Sequence, residues 1–399
     1  MAGNPAAMPN ERLNTFPLSH RYVRIGLGVL GFLLLTAIFR AHRSPESAPP
    51  PPLPPSLETT DAATNPAQEW QVTMELPPTR RGLAYTFPTP QTRLQDLEDD
   101  SVYMPTASGR VISAHYGSTR TNSSGRAVFH EGVDIGPMRR DRRQHALDPI
   151  YAVADGTVAY TNRIAGNSTY GIYVVLTHND EFGEFYTLYA HMGSIAEGLR
   201  AGNVILKGEP LGIMGHTSSF QIPPQRAHLH FEIGVINNQH FADWYRGKQR
   251  TPNHSTWHGH NLTGIDPMLL LLQLDPEADT YFSMRDAIRE LPTAYTLAIQ
   301  APGQLDYFRR HPMLWQGIPF QSGVMLVGFC QAGTPLFGRA ATPEEAEGVT
   351  ARSPRVVEVF PDALGRNGRR KIARANNRWT LTPWGSEWLE ILLYRAGRP

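Results

Sequence analysis

The chain is poor in cysteine and in lysine. Cys330 is its single thiol among 399 residues. No disulfide can therefore form within the chain, no cysteine-rich zinc knuckle exists, and a bound metal must take histidine and carboxylate ligands. Lysine occurs three times against 34 arginines, a bias spread along the chain and read as compositional rather than as a binding device. Charge of one sign is also missing: 37 basic and 36 acidic residues leave a formal net charge of +1. That balance removes the electrostatic footprint of a nucleic-acid binder, so no nucleic acid is expected as partner. Hydrophobic residues reach 41%, enough for a real core, which excludes a wholly disordered chain. The length suggests two domains at roughly 100–200 residues each. What the chain has in plenty is histidine, 15 residues, and proline, 34 residues.

The one long apolar run is Ile25 to Phe39, bracketed by Arg21 and Arg24 before it and Arg40 and Arg43 after it. It is short for a membrane span, which takes about 20 residues, although Tyr22 and Val23 extend it. The alternative is the apolar region of a signal peptide, but no convincing small-x-small cleavage site comes after it. The expectation is a cytoplasmic N-terminus (1–24) and a membrane helix (25–39) that places the rest of the chain outside the cytoplasm; secretion after cleavage is the alternative. Ser44 to Ser56 then holds seven prolines. Such a tract is an extended polyproline II spacer, so 44–75 reads as a disordered stalk.

From Val111 to Val235 short apolar runs alternate with turn signals such as Asp155-Gly156 and Phe182-Gly183. Period-2 alternation with closely spaced glycine turns predicts an antiparallel sheet built from hairpins. Residues 76–275 are read as this β domain with its lead-in, closed by GIDPMLLLLQ. Residues 276–399 are read as a smaller β-rich domain, sandwich-like, with a helix at SMRDAIREL. Its strands are expected at YTLAIQAP, GVMLVGFC, RVVEVF and WLEILLYR, and it carries no site motif.

Four histidines and an aspartate form patterns with chemical content. His130 and Asp134 lie in FHEGVDIG, His228 and His230 in AHLHFEIGV, and His191 ends FYTLYAHM. On a strand, residues two apart share a face, so His228, His230 and Glu232 oppose the apolar set Leu229, Phe231, Ile233 and Val235. Two imidazoles on the face away from the core are hard to explain as packing. The same parity groups Thr187, Tyr189 and His191 against Leu188 and Ala190. Gly132 and Gly136 argue against a helix through His130 and Asp134; a bend at Gly132, with close backbone approach, makes the two converge instead. The fourth residue after His130 is an aspartate, so the two-histidine helix of H-E-x-x-H proteases is absent. One histidine, one aspartate and a further histidine make a three-ligand zinc set with a fourth position for water. Two spare histidines beside it can take a proton and stabilise an oxyanion.

HEGVD, YAHM and AHLHFE occur complete and in order, with AVADGTVAY and GEPLGIMGHTSS between them. Together they resemble the lysostaphin-type (LytM-like) zinc peptidases of peptidoglycan, peptidase family M23, over Gly109 to Asp266, about 40% of the chain. The resemblance implies a mainly β, antiparallel peptidase domain of the duplicated-hybrid-motif type, to which the C-terminal β-rich domain and N-terminal membrane helix are appended. It implies Zn2+ held by His130, Asp134 and His230. His191 and His228 would be the non-ligand catalytic pair, one assisting deprotonation of the water and the other stabilising the oxyanion. The implied activity is a metalloendopeptidase cutting peptide cross-links, with peptidoglycan stem peptides as partners and no obligate protein partner. The implied placement is a single-pass inner membrane protein with its catalytic domain in the periplasm. The alternative is a non-catalytic relative that binds and activates a cell-wall amidase, although all five motif positions are intact.

Two stretches depart from the family pattern. PMRRDRRQHALDP carries Arg139, Arg140, Arg142 and Arg143, read as a solvated loop or as a contact for acidic stem peptides. The insertion before GIDP brings Trp244, Tyr245 and Trp257, which suit a groove wall, and His254, His258 and His260, whose spacing allows a second metal. Glu232 reads as a hydrogen-bonded carboxylate rather than a base, and His178 as structural. Asp99 and Asp100, in the lead-in, are ligand-capable residues for a latency segment.

Overall fold

A computed structural model of the chain describes residues 82–121 and 127–397. The expected cytoplasmic N-terminus (1–24), membrane helix (25–39) and stalk (44–75) lie outside the described residues. Among the described residues no helix is long and apolar enough to cross a membrane.

The architecture is mainly β. Six strands of a nine-stranded sheet form its main path, in the order Leu262–Ile265, Leu229–Ile236, Gly183–Ile195, Ile172–Asp180, Gly156–Asn162, Val204–Ile205, and neighbours along this path pair antiparallel; Pro210–Met214, Pro149–Tyr151 and Val133–Ile135 pair off it. The expected hairpins are there: Asp180 turns back onto Gly183, and the two long strands pair along their length. Val133–Ile135 lies along the same edge of Leu229–Ile236 as Leu262–Ile265 does, but at the other end. One face of this sheet buries Leu229, Phe231, Ile233 and Val235 with Tyr189 and Val174 in the main core, as period-2 alternation requires. The opposite face buries Tyr173, Val175, Tyr186, Leu188, Ala190 and Ile236 in a second cluster. Both faces are thus covered.

The C-terminal part is a five-stranded sheet, in the order Trp315–Gln316, Pro335–Ala340, Gly323–Phe329, Tyr295–Ala301, Arg355–Val359, with helices around it. YTLAIQAP, GVMLVGFC and RVVEVF are strands as expected, and the helix expected at SMRDAIREL spans Met284–Glu290. WLEILLYR is not a strand: it belongs to the helix Pro383–Leu393. Thr382 caps that helix by accepting the Gly385 amide, Pro383 occupies its first turn, and Trp388, Ile391 and Leu392 form its buried stripe. The other pairings of this region are two-stranded, such as Ile372–Ala375 with Arg378–Leu381, so among the described residues it is not a two-sheet sandwich. The lead-in strand Leu83–Tyr85 pairs with Thr280–Phe282. Core residues of the nine-stranded sheet and of the C-terminal helix, such as Phe231 and Trp388, belong to a single apolar cluster.

Candidate metal centre

Strand register assembles the site. Asp134 sits opposite His230 in the short antiparallel pairing, and His230 sits opposite Ala190 on its other side. His130 enters from just before Gly132, whose lack of a side chain is required. A Cβ there would lie 2.4 Å from the Phe231 carbonyl oxygen and 3.0 Å from His230 Cε1. The close approach expected at Gly132 is therefore what brings HEGVD onto the His230 strand.

His130 Nε2, Asp134 Oδ1 and His230 Nδ1 form a triangle with sides of 2.9–3.0 Å. Among the described residues this is the one group able to hold a metal ion, and all three residues are buried. A tetrahedral ion with bonds of about 2 Å separates its ligand atoms by about 3.3 Å, so the triangle suits zinc. Each ligand is oriented by a second contact. His130 Nδ1 donates to the His115 carbonyl (3.0 Å), and His115 is itself tied to the Leu97 carbonyl at 3.0 Å. His230 Nε2 donates to Glu232 at 2.9 Å. Asp134 Oδ2 accepts from Arg120 at 2.6 Å, which leaves Oδ1 for the metal. Such outer contacts fix the tautomer and leave a lone pair aimed inward.

The electrostatics agree. Burial alone disfavours a charged His230, but the Asp134 and Glu232 carboxylates outweigh it and lift its pKa to about 9. Burial pushes His130 down to about 4 despite Asp134. Burial would raise the Asp134 carboxyl, yet His130 and Arg120 hold it well below the carboxylate range. The buried carboxylates of Asp134 and Glu232 thus favour positive charge at the centre, and a bound cation would take the place of the proton on His230.

His191 and His228 flank the triangle, with ring centroids 4.7 Å apart; the His191 ring is 5.8 Å from that of His230. His191 Nδ1 donates to the Thr217 carbonyl (2.8 Å) and His228 Nδ1 to the Arg226 carbonyl (2.7 Å). Each therefore keeps a bare Nε2, and His228 Nε2 lies 3.6 Å from Asp134 Oδ1. Burial holds both below the ordinary histidine pKa, His191 well below it with help from His228 and His230. Strict alternation does not account for His191. Its parity partner Tyr189 is in the main core with Phe231, whereas Ala190 pairs with His230. His191 reaches the site because its backbone is left-handed (φ 58°) next to a register shift in the strand. That irregularity re-aims its side chain.

The remaining expectations divide. Glu232 is a hydrogen-bonded carboxylate, as read: it accepts from Tyr170 (2.8 Å) and Tyr186 (3.0 Å) besides His230. His178 is structural, buried between the Asp155 carbonyl and Thr187 Oγ1 at 2.7 and 2.8 Å. The second metal site does not assemble. His254 bonds to Tyr160 and the Asn167 carbonyl, and His258 bonds to the His260 amide and the Tyr245 hydroxyl. Trp244 does not wall a groove either; it packs with Phe241 and Ile391 under the C-terminal helix. Trp257 does cover the ligand-bearing face, 6.4 Å from Tyr186. Arg142 and Arg143 are exposed, but Arg140 donates to the Pro224 carbonyl at 2.9 Å and braces the segment leading to His228. Asp99 is engaged locally by Arg93 and the Ser101 amide. Sequence reading missed Arg120, ten residues before His130 and in no motif, and Tyr170 and Tyr186, which look like ordinary strand aromatics.

The sequence profile of peptidase family M23 matches residues 128–243. No curated protein matches the chain. Among solved structures, a zinc-containing peptidase from Vibrio cholerae is 25% identical over 33% of this chain and 35% of its own, with a TM-score of 0.24. The catalytic domain of lysostaphin from Staphylococcus simulans is 19% identical over 40% of this chain and 89% of its own, with a TM-score of 0.26. The catalytic domain of the prophage-encoded M23 protein EnpA from Enterococcus faecalis is 20% identical over 30% and 77%, with a TM-score of 0.22. The chain spans about a third of the length of the first of these. The residues that match the peptidase family M23 profile, 128–243, hold all five motif residues.

Proposed function

We propose that this chain is a zinc-dependent endopeptidase that hydrolyses peptide cross-links of bacterial peptidoglycan. The observation that carries the reading is the 2.9–3.0 Å ligand triangle with two bare imidazole nitrogens beside it. His130, Asp134 and His230 would hold the ion, which when bound acidifies water and polarises the scissile carbonyl. His191 and His228 do the proton work. Both rest neutral, so the Nε2 that accepts the proton of the attacking water becomes an N–H donor. The other lies within reach of the carbonyl oxygen as negative charge develops there. The carbonyls of Thr217 and Arg226 hold both rings by Nδ1, so neither turns away during turnover. The basic-flanked apolar run at 25–39 supports a membrane-tethered enzyme working outside the cytoplasm, in the periplasm.

The test incubates the full chain with peptidoglycan sacculi and reads the products by mass spectrometry, with zinc content measured in parallel. His230→Ala is expected to lose zinc and activity. His191→Ala is expected to keep zinc and lose turnover by about 10²–10⁴-fold. Full activity in His230→Ala overturns the mechanism. Stimulation of an amidase with no cleaved peptide from the wild-type chain would instead establish the regulator.

A further inference from the structure

The HEGVD segment puts a second carboxylate, Glu131, directly after ligand His130, and it points to a residue of the C-terminal region. Arg369 reaches across and forms an ion pair with Glu131. The two side chains are 10% and 23% exposed, respectively. The guanidinium also sits 5.4 Å from the centre of the Phe129 ring, just before His130. Gly368 lets the loop approach, since a Cβ there would lie 2.9 Å from both Phe129 and Thr119 Oγ1. Glu232 lies on the far side of Gly132, its Cγ 3.0 Å from where a Cβ would stand. Three carboxylates, Glu131, Asp134 and Glu232, therefore crowd around the ligand histidines. Arg120 answers Asp134, and neutral hydroxyls and His230 answer Glu232. Arg369 answers Glu131.

We infer that Arg369 is a positioning residue of the metal centre: the C-terminal region supplies the resident countercharge that keeps the ligand segment assembled before a metal arrives. The inference rests on the zinc reading above. Its physical content is a difference between two states. Without metal, removing the guanidinium leaves Glu131 without its ion-pair partner in a mostly buried site, where the penalty is large. With a divalent cation on His130, Asp134 and His230, the carboxylate has another positive charge close by, and the loss is smaller. A residue that merely fastens the C-terminal region would destabilise both states alike.

The experiment is thermal unfolding of the full chain, in chelator and in saturating zinc, for wild type, Arg369→Gln, Glu131→Gln and the double variant. Arg369→Gln is expected to lower the midpoint by roughly 5 °C in chelator and by less than half of that in zinc. Glu131→Gln in the Arg369→Gln background removes the orphaned charge and is expected to restore most of the loss in chelator. Equal losses in chelator and zinc, or no recovery from Glu131→Gln, overturn the assignment. A wild-type chain whose unfolding is indifferent to zinc overturns the proposed function, while the Glu131→Gln rescue in chelator still decides the pairing by itself.

Discussion

His191 carries left-handed backbone (φ 58°) in the middle of a strand, and its side chain is held by the Thr217 carbonyl. A non-glycine residue in that conformation costs about 1–2 kcal/mol. His191→Gly is therefore expected to be more stable than His191→Ala by about 1 kcal/mol in urea unfolding, the reverse of the usual order within strands, with both variants inactive. An alanine variant that matches the glycine one would mean that the backbone bears no strain there. His178 gives a prediction in pH. Burial lowers its pKa to about 4, against an ordinary 6.5. The unfolded chain then binds a proton below pH 6.5 that the folded chain refuses until about pH 4. Stability falls as pH drops through that window, by about 3 kcal/mol at its lower end. His178→Gln should flatten that part of the stability–pH curve, whatever it does to stability at pH 8. An unchanged slope would remove the assignment.

At the level of elements, the close approach of HEGVD to the His230 strand has no slack. Gly132→Ala puts a methyl group 2.4 Å from a backbone oxygen and forces the strands apart. The expected result is a loss of roughly 3 kcal/mol in urea unfolding together with loss of bound zinc. Wild-type unfolding and zinc content would show that the strands can part without harm. This glycine also marks how far the sequence could be read. The pattern Leu229, Phe231, Ile233, Val235 fixes which face His230 takes, and Gly132 fixes the bend, because both depend on neighbours close in sequence. The route of His191 was not legible: parity assigns it to the core face, and only the left-handed residue beside a register shift re-aims it. WLEILLYR failed for a related reason. Its apolar residues fit a short strand as well as a helix, and the deciding signals, Thr382 and Pro383, lie upstream of the run. Arg120 and Arg369 belong to no motif, and charge in an arginine-rich sequence gives no hint of which guanidinium will meet a buried carboxylate.

Over the whole molecule, the resemblance stops near Asp266, yet the contacts do not. Phe182 stacks on His311 with ring centroids 4.2 Å apart, and Tyr85 meets Phe282 at 5.7 Å. Asn238 donates to the carbonyls of Ile391 and Tyr394, both at 2.8 Å, and Arg310 donates to that of Ile236 at 2.9 Å. Asp306 accepts the Gln239 amide at 3.0 Å, and Asp180 accepts the Met284 amide at 3.0 Å. Phe241 and Trp244 are buried with Ile391. Ending the chain after Asp275 would uncover Phe182, Phe241, Trp244 and Phe129 at once and orphan the polar groups that face them. An exposed patch of that kind promotes association, and each lost buried partner adds its own penalty. The shortened chain is therefore expected to collect in the insoluble fraction, or to be soluble with a weakened near-ultraviolet circular dichroism signal and strong binding of an apolar dye. Shortening only to remove residues 1–73 should leave unfolding midpoint and zinc content as in the full chain, because Met74–Pro399 is a compact unit by itself. A chain ending at Asp275 that unfolds cooperatively at the wild-type midpoint would show that the β domain carries its own stability and that the C-terminal region is an attachment to it.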